Sequence, residues 1–168
     1  MPTNYQKLIV VDPARCTGCE ICEAACSFAH EGKFIALNSR IQRIRIEPIT
    51  NYALSCQFCT DPPCVAVCPQ KCLTKDEKTG IIQVNEQKCD GCSFCIRVCP
   101  FGAITLHTTR KKVIICDLCD STEEKEPQCS KFCPKEAIQV KPVINLAQES
   151  RKEQILSLLK GIEKERKV

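Results

Sequence analysis

The chain has 168 residues, room for one compact domain or two small fused ones, and its 24 Lys and Arg against 20 Asp and Glu leave a net charge of +4 mixed along its length. Six Phe, two Tyr and no Trp give no platform for stacking nucleic-acid bases, and no apolar run approaches the ~20 residues that cross a bilayer. Seventeen cysteines, an odd number gathered in tight groups, follow an N-terminus (M-P-T-N-Y-Q-K-L-I-V-V-D-P) with no basic or long apolar leader; this argues against a secreted disulfide scaffold and for metal binding in a reducing, cytoplasmic compartment.

In chain order, a short strand is expected over Leu8–Val11, followed by a first cysteine group, Cys16, Cys19, Cys22 and Cys26. A strand over Ile44–Glu47 precedes the second group, Cys56, Cys59, Cys64 and Cys68. Ile81–Val84 leads into the third, Cys89, Cys92, Cys95 and Cys99. Strands over Ile104–His107 and Val113–Ile115, joined by a turn at Thr108–Lys112, lead to the fourth, Cys116, Cys119, Cys129 and Cys133, and Ile138–Val140 forms a last strand. A repeat is visible: L-I-V-V-D-P-A-R-C parallels I-I-Q-V-N-E-Q-K-C, and C-P-F-G-A-I-T-L parallels C-P-K-E-A-I-Q-V. Each unit reads as strand, ligand loop, short helix carrying the fourth Cys, then strand. Cys72 aligns with Ala103 and Ala137 in this repeat and reads as a small packing residue rather than a ligand. Beyond Pro142, Asn145 is a plausible N-cap with Gln148 three residues on, and Ile155, Leu158, Leu159 and Ile162 share one helical face, to be packed on this domain or docked on a partner subunit.

The spacing over Cys89–Pro100, C-x2-C-x2-C-x3-C-P, has a definite chemical reading. Three thiolates on a tight loop bind three irons of one cubane [4Fe–4S] cluster, and the fourth, a helical turn further on, ligates a second cluster. Sixteen such ligands suffice for four clusters. Gly18 and Gly91 let their loops take positive φ, whereas Phe58 and Leu118, at the corresponding places, should exclude water, so the four potentials should differ. Zinc is the competing reading. Group four could pass for a zinc site by itself, but three thiolates within seven residues, as in groups one and three, suit a cube better than one tetrahedron. His30 and His107 read as surface or packing residues and Arg110–Lys112 as a solvated turn. No phosphate loop or flavin fingerprint appears, and no cluster lacks a cysteine to leave an iron open to substrate. With little continuous apolar sequence between ligands, ligation itself must supply much of the folding free energy.

The second group, C-Q-F-C-T-D-P-P-C-V-A-V-C-P, resembles the second motif of the four-cluster ferredoxin-like electron-transfer subunits that accompany dimethyl-sulfoxide reductase, formate dehydrogenases, hydrogenases and related enzymes. C-D-L-C-x9-C-x3-C-P resembles their last motif. The stretch C-T-G-C-E-I-C-E-A-A-C-S-F-A-H-E-G-K-F, with S-R-I shortly after, is similar to the branch serving tungsten aldehyde oxidoreductases and carbon monoxide dehydrogenase, in which the fourth Cys (here Cys26) is likewise followed by a residue other than Pro (here Ser27). The resemblance runs over Leu8–Val140 and implies an α+β fold. Two bacterial-ferredoxin-like modules, one inserted in the other, would place short antiparallel strands and short helices around four cubane clusters, with a C-terminal helix added. Residues 1–50 and 101–142 would form the outer module, 51–100 the inserted one and 143–168 the extension. Carried over, one cluster takes Cys16, Cys19, Cys22 and Cys133; a second takes Cys116, Cys119, Cys129 and Cys26. The third takes Cys56, Cys59, Cys64 and Cys99, and the fourth Cys89, Cys92, Cys95 and Cys68.

The expected function is a non-catalytic electron-transfer subunit. It would relay single electrons through four [4Fe–4S] clusters between a catalytic oxidoreductase subunit, of the tungsten- or molybdenum-pterin aldehyde oxidoreductase type, and an acceptor such as a soluble ferredoxin. No nucleic acid and no membrane span enter this reading. The alternatives are a free polyferredoxin carrier, a subunit of a carbon monoxide dehydrogenase or hydrogenase, and, more remotely, a cluster-bearing assembly factor.

Overall fold

The computed structural model describes residues 6–46, 50–143, 151–152 and 155. Of the apolar face expected on a C-terminal helix, Leu158, Leu159 and Ile162 lie outside the described residues, while Ile155 is helical and exposed.

Helix length follows the residue after the fourth cysteine of each group. Three helices are a single turn or little more: α2 (Pro63–Ala66), α3 (Phe94–Val98) and α4 (Gln128–Lys131). Pro69, Pro100 and Pro134 follow closely, and a proline neither donates an N–H nor lets its predecessor stay helical. In group one Ser27 stands where the others have proline, and α1 runs on for 11 residues, Ile21–Glu31. It ends at Gly32, left-handed at φ 64°, whose N–H donates to the Phe28 carbonyl (2.8 Å). A 3₁₀ turn at Ala36–Asn38 follows, fixed in part by Ser27 Oγ, which accepts the Ile35 N–H (3.2 Å).

The strands form four antiparallel pairs. β1 (Lys7–Val11) pairs with β8 (Ile138–Pro142), Val11 opposite Ile138, joining the two ends of the array. β2 (Gln42–Ile46) pairs with β3 (Thr50–Leu54), β4 (Leu73–Lys75) with β5 (Ile82–Val84), and β6 (Thr105–Leu106) with β7 (Val113–Ile114). The turn between the last two falls at Thr108–Arg110, inside the expected stretch. Two strands carried no clear sequence signal. β3 reads T-N-Y-A-L with only Ala53 buried, and β4 is three residues long. The Ile44–Glu47 strand begins two residues earlier than expected, at Gln42, and Glu47 is outside the described residues.

Helices pack as their strands pair: α1 lies on α4 and α2 on α3, so group one sits beside group four and group two beside group three. One continuous core links them. Ile41, Phe58, Leu73, Ile82, Val113 and Ile115 are all but fully buried, and many of the remaining buried apolar positions are cysteines. Among the described residues no helix is long and apolar enough to cross a membrane. The whole is a small α+β frame of short strands and short helices, ferredoxin-like in kind.

Candidate metal centres

Each ligand loop is prepared by its backbone. Asp12 and Asn85, four residues ahead of Cys16 and Cys89, end the strands that enter groups one and three. Their side-chain oxygens accept the N–H of Ala14 (2.9 Å) and Gln87 (3.1 Å), and their carbonyls accept the N–H of Cys16 (3.0 Å) and Cys89 (3.2 Å). These two turns are the part of the repeat that cysteine counting misses; the Asp/Asn at one fixed offset was the available signal.

The residue before the second cysteine is left-handed in all four groups: Gly18 (φ 70°), Phe58 (φ 45°), Gly91 (φ 75°) and Leu118 (φ 58°). At Gly91 glycine is needed twice over, because a Cβ there would collide with the Lys111 carbonyl oxygen. Phe58 and Leu118 accept the backbone strain, and Phe58 is 1% exposed, filling the core beside its loop.

The loops bring the predicted cysteines together across motifs. Cys16, Cys19, Cys22 and Cys133 line one cavity, and Cys56, Cys59, Cys64 and Cys99 line another. Cys95 has Cys68, Cys89 and Cys92 as electrostatic neighbours. Cys26 is a close electrostatic neighbour of Cys116, Cys119 and Cys129. In each set three thiols come from one motif and the fourth from its packing partner. Among the described residues no three His, Cys, Asp or Glu side chains converge as ligands of a single ion would. Thiols standing around a void, one to an iron, suit a cube rather than a zinc tetrahedron.

None of the seventeen cysteines is in a disulfide. Burial pushes Cys22 and Cys56 up to about 12 and Cys95 and Cys119 up to about 11, and raises Cys26, Cys64, Cys116 and Cys129 as well. Without metal these thiols are neutral at pH 7, and a ligand must be the thiolate, so loading drives their protons off. Cys68 goes the other way: burial opposes it, but the N–H and S–H of Cys72, with the N–H groups of Gln70 and Leu73, together hold it below the ordinary thiol value. Cys72 is buried where Ala103 and Ala137 are buried in the other repeats, the packing role expected. In addition its Sγ lies 3.3 Å from that of Cys68.

Both histidines are packed inside, each with polar partners. His107 bonds Asn38 (3.2 Å) and Glu31 (3.1 Å). The His30 side chain is 3% exposed, with Nε2 3.8 Å from Cys119 Sγ and 3.6 Å from Asp117 Oδ1. Burial and then the charge of Arg40 push its imidazole down to about 4, against the pull of Asp117. Arg110–Lys112, expected as a solvated turn, leaves Arg110 and Lys111 exposed but is also tied back at both ends. Arg110 makes two hydrogen bonds to the Glu31 carboxylate (2.8 and 3.0 Å), and Lys112 donates to the Cys89 carbonyl. Lys75 does the same at the second loop, donating to Cys59 (2.8 Å) and Thr60 (3.0 Å) carbonyls. A charge run shows its tethers only once the fold supplies the carboxylate and carbonyls that receive it.

Cysteine sets of this kind on a ferredoxin-like frame define an iron–sulfur electron-transfer protein. Residues 49–142 match the family model described as a 4Fe-4S dicluster domain, and the chain belongs to that family. It is 39% identical over 125 residues to the "Aliphatic sulfonate oxidoreductase, polyferredoxin-like subunit" of Pyrococcus furiosus, covering 74% of this chain and 70% of that one. It is 36% identical to the "Putative electron transport protein YsaA" of Escherichia coli (79% and 88% covered), and 32% to that organism's "Probable anaerobic dimethyl sulfoxide reductase chain YnfG" (89% and 78%). Among solved structures, a chain of the "Active site complex BamBC of Benzoyl Coenzyme A reductase as isolated" aligns at TM-score 0.47 with 25% identity, covering 90% of this chain and 89% of that one. The chain is an iron–sulfur subunit that carries [4Fe–4S] clusters, with electron transfer as its role.

Proposed function

We propose that this chain holds four [4Fe–4S] clusters and serves a catalytic oxidoreductase subunit as its electron relay. The ligand sets are Cys16, Cys19, Cys22 and Cys133; Cys26, Cys116, Cys119 and Cys129; Cys56, Cys59, Cys64 and Cys99; and Cys68, Cys89, Cys92 and Cys95. One observation carries the reading: in every set the fourth thiol crosses over from the motif that packs alongside, as between Cys22 and Cys133 in one cavity and Cys64 and Cys99 in another. A zinc ribbon takes two ligands from each of two pairs and does not divide them three to one.

The packing of α1 on α4 and of α2 on α3 supports two nested modules, residues 1–50 with 101–142 around 51–100. When bound, the clusters supply one-electron exchange. The chain's own part is to bury thiols that take iron, to aim N–H groups at sulfur and to hold the loops in place. The partner is a separate catalytic subunit, a reading supported by a Pyrococcus relative named as a subunit of an oxidoreductase and an Escherichia relative named as a chain of a reductase. The C-S-F-A-H-E-G-K-F stretch favours a tungsten- or molybdenum-pterin enzyme in a reducing, cytoplasmic setting. Anaerobically purified protein should hold about sixteen irons and as many acid-labile sulfides per chain. Zinc without sulfide would refute the reading. Co-purification with a pterin enzyme whose substrate bleaches the clusters would identify the partner class.

A further inference from the structure

Two stretches of the sequence are left unexplained by ligation: C-S-F-A-H, from Cys26 to His30, and S-R-I, from Ser39 to Ile41. In the fold they meet at one centre. Because Ser27 replaces the helix-ending proline of the other three repeats, α1 continues one turn past Cys26 and carries His30 to Cys119, on the opposite motif. The chain then returns through the 3₁₀ turn, and the Arg40 N–H donates to Cys26 Sγ (3.3 Å). The Arg40 guanidinium reaches Asp117 Oδ2 (2.8 Å), beside Cys116, and Asp117 Oδ1 in turn accepts the Cys119 N–H (3.1 Å). All three side chains are largely shielded from solvent.

We propose that His30 and Arg40 are tuning residues that raise the reduction potential of the centre held by Cys26, Cys116, Cys119 and Cys129. This rests on the iron–sulfur reading of that set. Adding an electron adds negative charge, which N–H groups aimed at the ligand sulfurs stabilise. A buried carboxylate at Asp117 opposes that charge, and Arg40 cancels the opposition. His30 and the Arg40 N–H each supply a donor to a different thiolate. The Ser27 position is thus more than a missing helix stop: it delivers a donor that a short helix cannot reach.

The test is a paramagnetic-resonance redox titration of the anaerobic holoprotein, with iron and sulfide counted in every sample. His30→Phe removes the donor at similar bulk, and one midpoint should fall, changing its oxidised-to-reduced ratio about tenfold at fixed potential, ~59 mV for one electron. His30→Gln, which keeps an N–H, should recover most of that shift. Arg40→Gln should lower the same midpoint, and Cys119→Ser marks which of the four signals belongs to this centre. Unchanged midpoints in both His30→Phe and Arg40→Gln with full cluster content would overturn the proposal, as would a shift confined to another centre. Should His30→Phe fail to load, Arg40→Gln decides. Wild-type protein lacking iron and sulfide would instead sink the cluster reading, a separate outcome.

Discussion

Alanine placed at Gly102, Gly18 and Gly91 separates backbone strain from steric conflict. All three are left-handed, at φ 63°, 70° and 75°. At Gly102 a Cβ meets nothing within 4 Å, so the substitution costs the conformational penalty, about 1–2 kcal/mol. At Gly18 the Cβ meets the side chain of Asn51, which must shift to admit it. At Gly91 it meets a backbone oxygen, that of Lys111. Lys111 is itself left-handed (φ 55°) and its N–H is bonded to the His107 carbonyl (3.1 Å), so the turn between β6 and β7 has little room to yield. Overpacking against fixed backbone adds about 1–3 kcal/mol. Loss of clusters on unfolding is irreversible, so the measure is a rate: the half-life of visible cluster absorbance in denaturant without oxygen. Gly91→Ala should decay roughly five- to 150-fold faster than Gly102→Ala, with Gly18→Ala between the two. Equal half-lives for Gly91→Ala and Gly102→Ala would show that the approach to Lys111 does not limit stability.

Ser27→Pro should end α1 a turn early, as Pro69, Pro100 and Pro134 end theirs, with a penalty of about 3 kcal/mol and the same fall in midpoint as His30→Phe, read by circular dichroism and redox titration. Leu118→Gly should be nearly neutral, because relief of φ 58° offsets modest packing. Phe58→Gly gains the same relief but empties a site 1% exposed and should shorten the half-life by a net loss of about 2–4 kcal/mol. Burial alone would raise Glu31, but hydrogen bonds from Arg110 and His107 hold its carboxyl below its ordinary 4.5. Folding therefore favours the ionised form; that stability is present above pH 4.5 and is lost as pH falls through the depressed value. The acid side of a stability–pH profile should flatten in Arg110→Gln and stay unchanged if the pair contributes nothing. Complete removal of iron by chelation should leave a largely unfolded chain, and native-like circular dichroism afterwards would count against ligation as the main crosslink.

Cysteine spacing made the ligand loops, their order and most strands legible, because a ligand loop tolerates few alternatives once three thiolates must reach one cube. What it hid was held by contacts distant in sequence. β3 and β4 are strands because β2 and β5 are there to pair with, not because T-N-Y-A-L or L-T-K alternates. The tethers of Arg110 and Lys112 were hidden because Glu31 and the Cys89 carbonyl that receive them lie 79 and 23 residues away. His30 looked idle for the same reason: Cys119, its neighbour, is 89 residues further on.

The departures from the repeat are more informative than the repeat. Four loops share the left-handed residue and the crossing fourth thiol, which hold clusters in general. Ser27 for proline, Cys72 for alanine, and Phe58 and Leu118 for glycine each alter what surrounds one sulfur set: a longer helix bringing His30, an S–H beside Cys68, apolar bulk beside two loops. Equivalent surroundings would give near-equal potentials, and a row of near-equal centres sets no preferred resting place for an electron. Surroundings that differ by a hydrogen bond or a compensated carboxylate set one without moving a ligand. On the ligand sets proposed above, the sequence keeps its sixteen grouped cysteines regular and varies the residues one step away from them.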